Sequence, residues 1–152
     1  MDNNYNNLLE GRIIVVNNFS FYNGKLDHAW NTGRICLVLY TSDEFEYVLP
    51  ITHRISVLYK DEYFFIDETN IQEYYKNRFR ENTITRNKKK GSKNSNDIRG
   101  YIDLKYVYKI PIAYRDEIGK ITYKTYLNLK KGLENYHKSI DKENDIILCL
   151  CK

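Results

Sequence analysis

A chain of 152 residues has room for one domain and not for two independent cores. Its 42% hydrophobic and 29% charged content is that of a folded chain. No apolar run approaches the roughly 20 residues of a membrane helix, and MDNNYNNLLEG lacks the basic start and apolar stretch of a secretory signal, so a cytoplasmic protein is expected. The net charge of +4 does not by itself announce a nucleic-acid partner.

In chain order, residues 1–10 are polar and read as a loose arm. Ile13 to Val16 is a β-branched run with strand propensity. Residues 20–33 carry Asn-Gly and Thr-Gly and read as a long loop. Arg34 to Tyr40, Phe45 to Ile51, Ile55 to Tyr59 and Tyr63 to Ile66 follow as short strands with tight connections, which predicts a hairpin-rich antiparallel sheet. Thr69-x-x-Gln72 has the form of a capping box. After it Ile71, Tyr74, Tyr75, Arg78 and Phe79 share one face of a helix of about three turns. Residues 86–99 hold almost nothing apolar and read as a solvated loop. Gly100 to Ile112 reads as one strand. A second helix is predicted from about Thr122 on Tyr126, Leu129, Leu133, Tyr136 and Ile140, with Ile146 to Leu150 as a closing strand. Cys36 sits in an apolar run and reads as a small core residue. Cys149 and Cys151 are spaced too tightly for the usual redox or zinc pair.

The charge is unevenly placed. Between Tyr74 and Lys109 stand eleven basic residues, Lys76, Arg78, Arg80, Arg86, Lys88, Lys89, Lys90, Lys93, Arg99, Lys105 and Lys109, against three acidic ones. That window carries +8 and leaves −4 for the rest. Such a segment attracts polyanions by counterion release. Tyr74, Tyr75, Phe79, Tyr101, Tyr106 and Tyr108 are interleaved with it, either as core residues or as rings on which single-stranded bases stack.

Gly11-Arg12-Ile13-Ile14-Val15-Val16 and Gly33-Arg34-Ile35-Cys36-Leu37-Val38-Leu39 precede Tyr47-Val48-Leu49-Pro50-Ile51-Thr52. Together they resemble the PemK/MazF-like endoribonuclease toxins, with a Gly-led first strand, a basic residue before the second, and a third ending in Pro-x-Thr. Gly100 to Tyr106, followed by Ile110-Pro111-Ile112 and a helix, is similar to the ToxN-like toxins of type III toxin–antitoxin systems. Ile35 stands where MazF-like members usually have proline, and His53 where ToxN-like toxins usually have serine.

The resemblance implies a small α+β domain on a strongly bent antiparallel sheet, an SH3-like barrel core with two or three peripheral helices. It further implies a sequence-selective endoribonuclease that cuts mRNA and leaves a 2′,3′-cyclic phosphate and a 5′-hydroxyl. A pseudoknot RNA antitoxin would be the inhibitory partner, cut from its own precursor by the toxin. Two other readings stay open: a MazF-like toxin held by a protein antitoxin, and a non-catalytic RNA-binding module.

RNA cleavage by its own 2′-hydroxyl needs a base, an acid and donors for the phosphoryl oxygens. The sequence has no H-E-x-x-H, D-x-D or Cys/His cluster, which favours a route without metal or other cofactor. Arg34 is a permanently charged fork suited to phosphate. Thr52 offers a hydroxyl and a backbone N–H at a strand end. His53 is the candidate general acid or base, and Lys25 a further candidate to stabilise phosphate charge. Tyr22, His28 and Trp30 of loop 20–33, with Arg54, Arg78, Arg86, Lys88, Lys89, Lys90, Lys93 and Arg99, are the expected RNA contacts.

Overall fold

The computed structural model describes residues 4–19, 33–53, 62–89, 91, 96–139 and 146–147. Within them run β1 (Arg12–Val16), β2 (Arg34–Thr41), β3 (Phe45–Thr52), β4 (Tyr63–Asp67), α1 (Lys76–Lys89), β5 (Arg99–Asp103), β6 (Val107–Pro111), β7 (Glu117–Lys120), α2 (Tyr123–Ser139) and β8 (Ile146–Ile147). The fold is α+β: seven strands pair antiparallel, and the two-residue β8 lies parallel to β6. Among the described residues no helix is long and apolar enough to cross a membrane.

The strand order is β4-β5-β3-β2-β1-β7. β3 gives one edge to β2 and divides the other between β6, at Phe45 to Val48, and β5, at Ile51 and Thr52. The end of β3 therefore projects beyond β6 toward α1. At the centre of the sheet both faces are buried. Ile13, Leu37 and Leu49 meet Phe79 of α1 and Tyr126 and Leu129 of α2, while Ile14, Cys36, Val38, Val48 and Ile110 form a second cluster. That explains why Ile13 to Val16 and Ile35 to Leu39 are continuous apolar runs and do not alternate. The buried Glu46 of β3 ties this frame together, pairing with Arg12 of β1 at 3.1 Å and with Arg115 at 2.9 Å.

Several sequence expectations are corrected. Of the N-terminal arm, the described residues 4–10 are anchored at Tyr5, which is buried and whose hydroxyl donates to the Ile121 carbonyl at 2.7 Å. Lys120 Nζ donates to the Tyr5 and Leu8 carbonyls, each at 2.7 Å, and burial lowers its pKa. Gly11, at φ +83°, admits the tyrosine, because a Cβ there would lie 1.8 Å from Tyr5 Oη. The capping box is Asp67–Asn70, since Thr69 Oγ1 is already engaged by Asp67 at 2.6 Å. The long helix begins only at Lys76, because Ile71 bridges to Ile121 and Tyr74 stands 88% exposed.

Residues 86–99 are not wholly loop. α1 continues through Arg86 to Lys89, held by polar contacts that hydrophobic periodicity does not register. The single strand at 100–112 is two, broken where Asp103 Oδ1 accepts the Lys105 N–H at 2.9 Å. β7 has no counterpart in the expected elements. The expected strand at 55–59, nearly all of loop 20–33, and Ile140, Cys149 and Cys151 lie outside the described residues.

Candidate active site

The beginnings of β2 and β5, the end of β3 and one face of α1 converge on a cavity of about 40 Å³. That volume holds roughly three water-sized groups. Arg34 opens β2, and its Nη1 donates to the Ile51 carbonyl at 3.4 Å. Thr52 closes β3 in register with Tyr101, so regular pairing fixes its backbone. His53 follows, with Nδ1 3.4 Å from the Arg99 carbonyl. A carbonyl can only accept, so this contact engages an Nδ1–H and leaves Nε2 as the ring nitrogen not used in it.

From α1, Phe79, Thr83 and Asn87 descend one face at intervals of four residues, and Arg86 stands beside them. Arg86 Nε donates to Asn82 Oδ1 at 2.8 Å, and its Nη1 donates to the Gly33 carbonyl at 3.2 Å. The guanidinium thereby spans from α1 to the residue that precedes β2. Its pKa is lowered, first by burial and then by the Arg34 charge. Asn87 Nδ2 donates to the Asp97 carbonyl at 3.2 Å. Thr83 Oγ1 is buried and has no hydrogen-bond partner among the described residues. Gly100 lets β5 approach closely, since a Cβ there would lie 2.8 Å from Ile51 Cγ2.

Three arginines, Arg34, Arg86 and Arg99, and no carboxylate in the described lining suit an anion, since each guanidinium offers phosphate a fork of donors. Compared with known proteins, the chain matches no family model and no curated relative.

Of the expected residues, Arg34, Thr52, His53, Arg86 and Arg99 come together here. Arg78 does not: it donates to the Glu117 carbonyl at 3.0 Å and lines a separate open depression of about 710 Å³ with Tyr114 and Arg115. Lys88 and Lys89 are exposed in the last turn of α1. Tyr22, Lys25, His28, Trp30, Arg54, Lys90 and Lys93 lie outside the described residues. Thr83 and Asn87 were missed; the four-residue spacing from Phe79 reaches Thr83 one turn on and Asn87 only once the helix is extended past Thr85.

The basic window is less bare than its sum suggests. Arg80 pairs with Glu68, Lys76 with Glu73 at 2.9 Å, Arg99 with Asp97 at 2.7 Å, and Lys105 with Asp103 at 3.6 Å. Of its aromatics, Phe79, Tyr101 and Tyr108 belong to the interior.

Proposed function

We propose that this cavity is the active site of a metal-independent endoribonuclease toxin with an SH3-like core, related to the ToxN-like branch of the PemK/MazF-like toxins. The reading rests on one observation above all: Arg34, Thr52, His53 and Arg86, from three separate stretches of chain, line one cavity. The scissile phosphate lies between the Arg34 and Arg86 guanidiniums, which neutralise the charge that accumulates on the phosphoryl oxygens. His53 Nε2 takes the proton of the 2′-hydroxyl, whose oxygen then bonds to phosphorus. The bond from phosphorus to the 5′-oxygen breaks, that oxygen takes a proton from water, and a 2′,3′-cyclic phosphate remains. Thr52 donates to a phosphoryl oxygen from a fixed strand end.

The ToxN-like affinity supplies the rest of the reading: mRNA as target and a pseudoknot RNA antitoxin that fills the same site. Incubation of purified protein with single-stranded RNA in EDTA tests the activity, with cyclic-phosphate ends as the expected product. Uncut RNA, or cutting that survives replacement of Arg34, Thr52 and His53 by alanine, excludes it.

A further inference from the structure

Cross-strand partners in an antiparallel ladder carry their side chains on the same face. Thr52 of β3 is in register with Tyr101 of β5, and Tyr101 with Phe65 of β4. The three therefore form one row across the sheet, with neighbours about 4.8 Å apart and its ends roughly 10 Å apart. One end is the proposed oxyanion donor. The other is a phenyl ring left 44% exposed.

The ring is not isolated. Tyr101, buried at the middle of the row, packs at 5.5 Å from Phe65 and at 5.2 Å, edge to face, from Tyr63. Arg99, two residues along the same face, lines the cavity and places its guanidinium 6.0 Å from the Tyr101 ring centre. Asp67 stands opposite Arg99, and Asp103 opposite Tyr63. A single exposed phenylalanine on a strand is ordinary. A braced aromatic plane in line with a phosphate-suited cavity, with Arg99 touching both the cavity and the Tyr101 ring, has the make-up of a stacking platform beside a backbone clamp.

We propose that Phe65, braced by Tyr101 and Tyr63, is a base-stacking subsite for single-stranded RNA, taking the base of a nucleotide beside the phosphate held at Arg34 and Arg86. This deepens the nuclease reading and rests on it for the position of the phosphate. The platform narrows substrates to unpaired RNA, because a base inside a duplex has no open face to offer.

The test uses short single-stranded oligonucleotides, fully 2′-O-methylated so that no 2′-hydroxyl can attack, with 2-aminopurine at each position in turn. Stacking quenches this fluorophore. With wild-type protein, one position is expected to be quenched more than its neighbours. Phe65→Leu abolishes that quench and weakens binding roughly tenfold, while Phe65→Trp preserves both. A quench that Phe65→Leu leaves intact, or no quench at any position with the wild type, overturns the subsite. Cleavage of unmodified RNA by the same proteins reports separately on the nuclease: a Phe65-dependent quench without cleavage keeps the platform and removes the reaction. Cleavage with a quench indifferent to Phe65 does the reverse.

Discussion

Arg86, on α1, is half-buried against the same cavity as Arg34, the first residue of β2, and after burial itself the Arg34 charge is the largest influence lowering the Arg86 pKa. Asp116 opposes that influence, and an anion bound beside both guanidiniums offsets their mutual repulsion further. Inorganic phosphate is therefore expected to stabilise the fold. At a hundredfold excess over its Kd it contributes about 2.7 kcal/mol, or roughly 5–10 °C in Tm for a chain of this size. Melts in phosphate and in chloride of equal ionic strength measure this. An Arg34→Gln/Arg86→Gln protein is expected to lose the difference; equal shifts in the two proteins count against the anion site.

Cleavage in EDTA is expected to fall unequally across the site. Loss of a fixed oxyanion donor in Thr52→Ala lowers kcat on the order of 10²- to 10³-fold. Loss of the base in His53→Ala costs on the order of 10²- to 10⁴-fold. Arg86→Lys keeps the charge but loses the planar fork that bonds Asn82 and the Gly33 carbonyl, and it is expected to restore little of what Arg86→Ala removes. Single-turnover rates on one RNA check the order, and a full rescue by lysine would show that charge alone matters there.

What the sequence revealed, and what it hid, follows from the kind of signal each residue carries. Apolar runs such as Ile35 to Leu39 declare a strand because burial drives them, and Arg34, Thr52 and His53 were legible because they abut such runs. The helical continuation through Arg86 to Lys89 was hidden, because Asn82, the Gly33 carbonyl and the Asp97 carbonyl hold it by hydrogen bonds. Hydrophobic periodicity is blind to a buried polar face, and so to Thr83 and Asn87. β7, Glu117–Lys120, has too few apolar residues to announce itself. Lys120, in that strand, is 3% exposed and pins the N-terminal segment, which no hydrophobic pattern could announce.

The pairing of Gly11 with Tyr5 makes the anchoring of that segment measurable. Gly11→Ala places a methyl group against Tyr5 Oη at a positive φ, so a loss of well over 1 kcal/mol is expected. Tyr5→Phe removes the bond to the Ile121 carbonyl, at about 0.5–1.5 kcal/mol. Once the Tyr5 hydroxyl is gone the alanine clash is smaller, so the double variant is expected to be more stable than the sum of the singles predicts. Urea titrations close the cycle. Strict additivity would mean that the arm moves away from Gly11 as a unit.

Asp103 gives a pH dependence of definite sign. Burial raises its pKa, more than the Lys105 N–H, which donates to Oδ1, and the Lys105 charge lower it. A carboxyl whose folded pKa exceeds its unfolded one favours the fold below the unfolded pKa, and that contribution is lost as pH rises through the folded pKa. At neutral pH the ionised Asp103 is therefore a net burden. Asp103→Asn keeps an oxygen to accept the Lys105 N–H and removes the charge, while Lys105 retains Glu62 at 3.9 Å. The variant is expected to melt higher than wild type near pH 7, with the gap closing as pH falls toward about 3, where both carry a neutral side chain. Tm recorded across that range decides it: a variant less stable at pH 7 would show that the Lys105 ion pair outweighs the burial of the carboxylate.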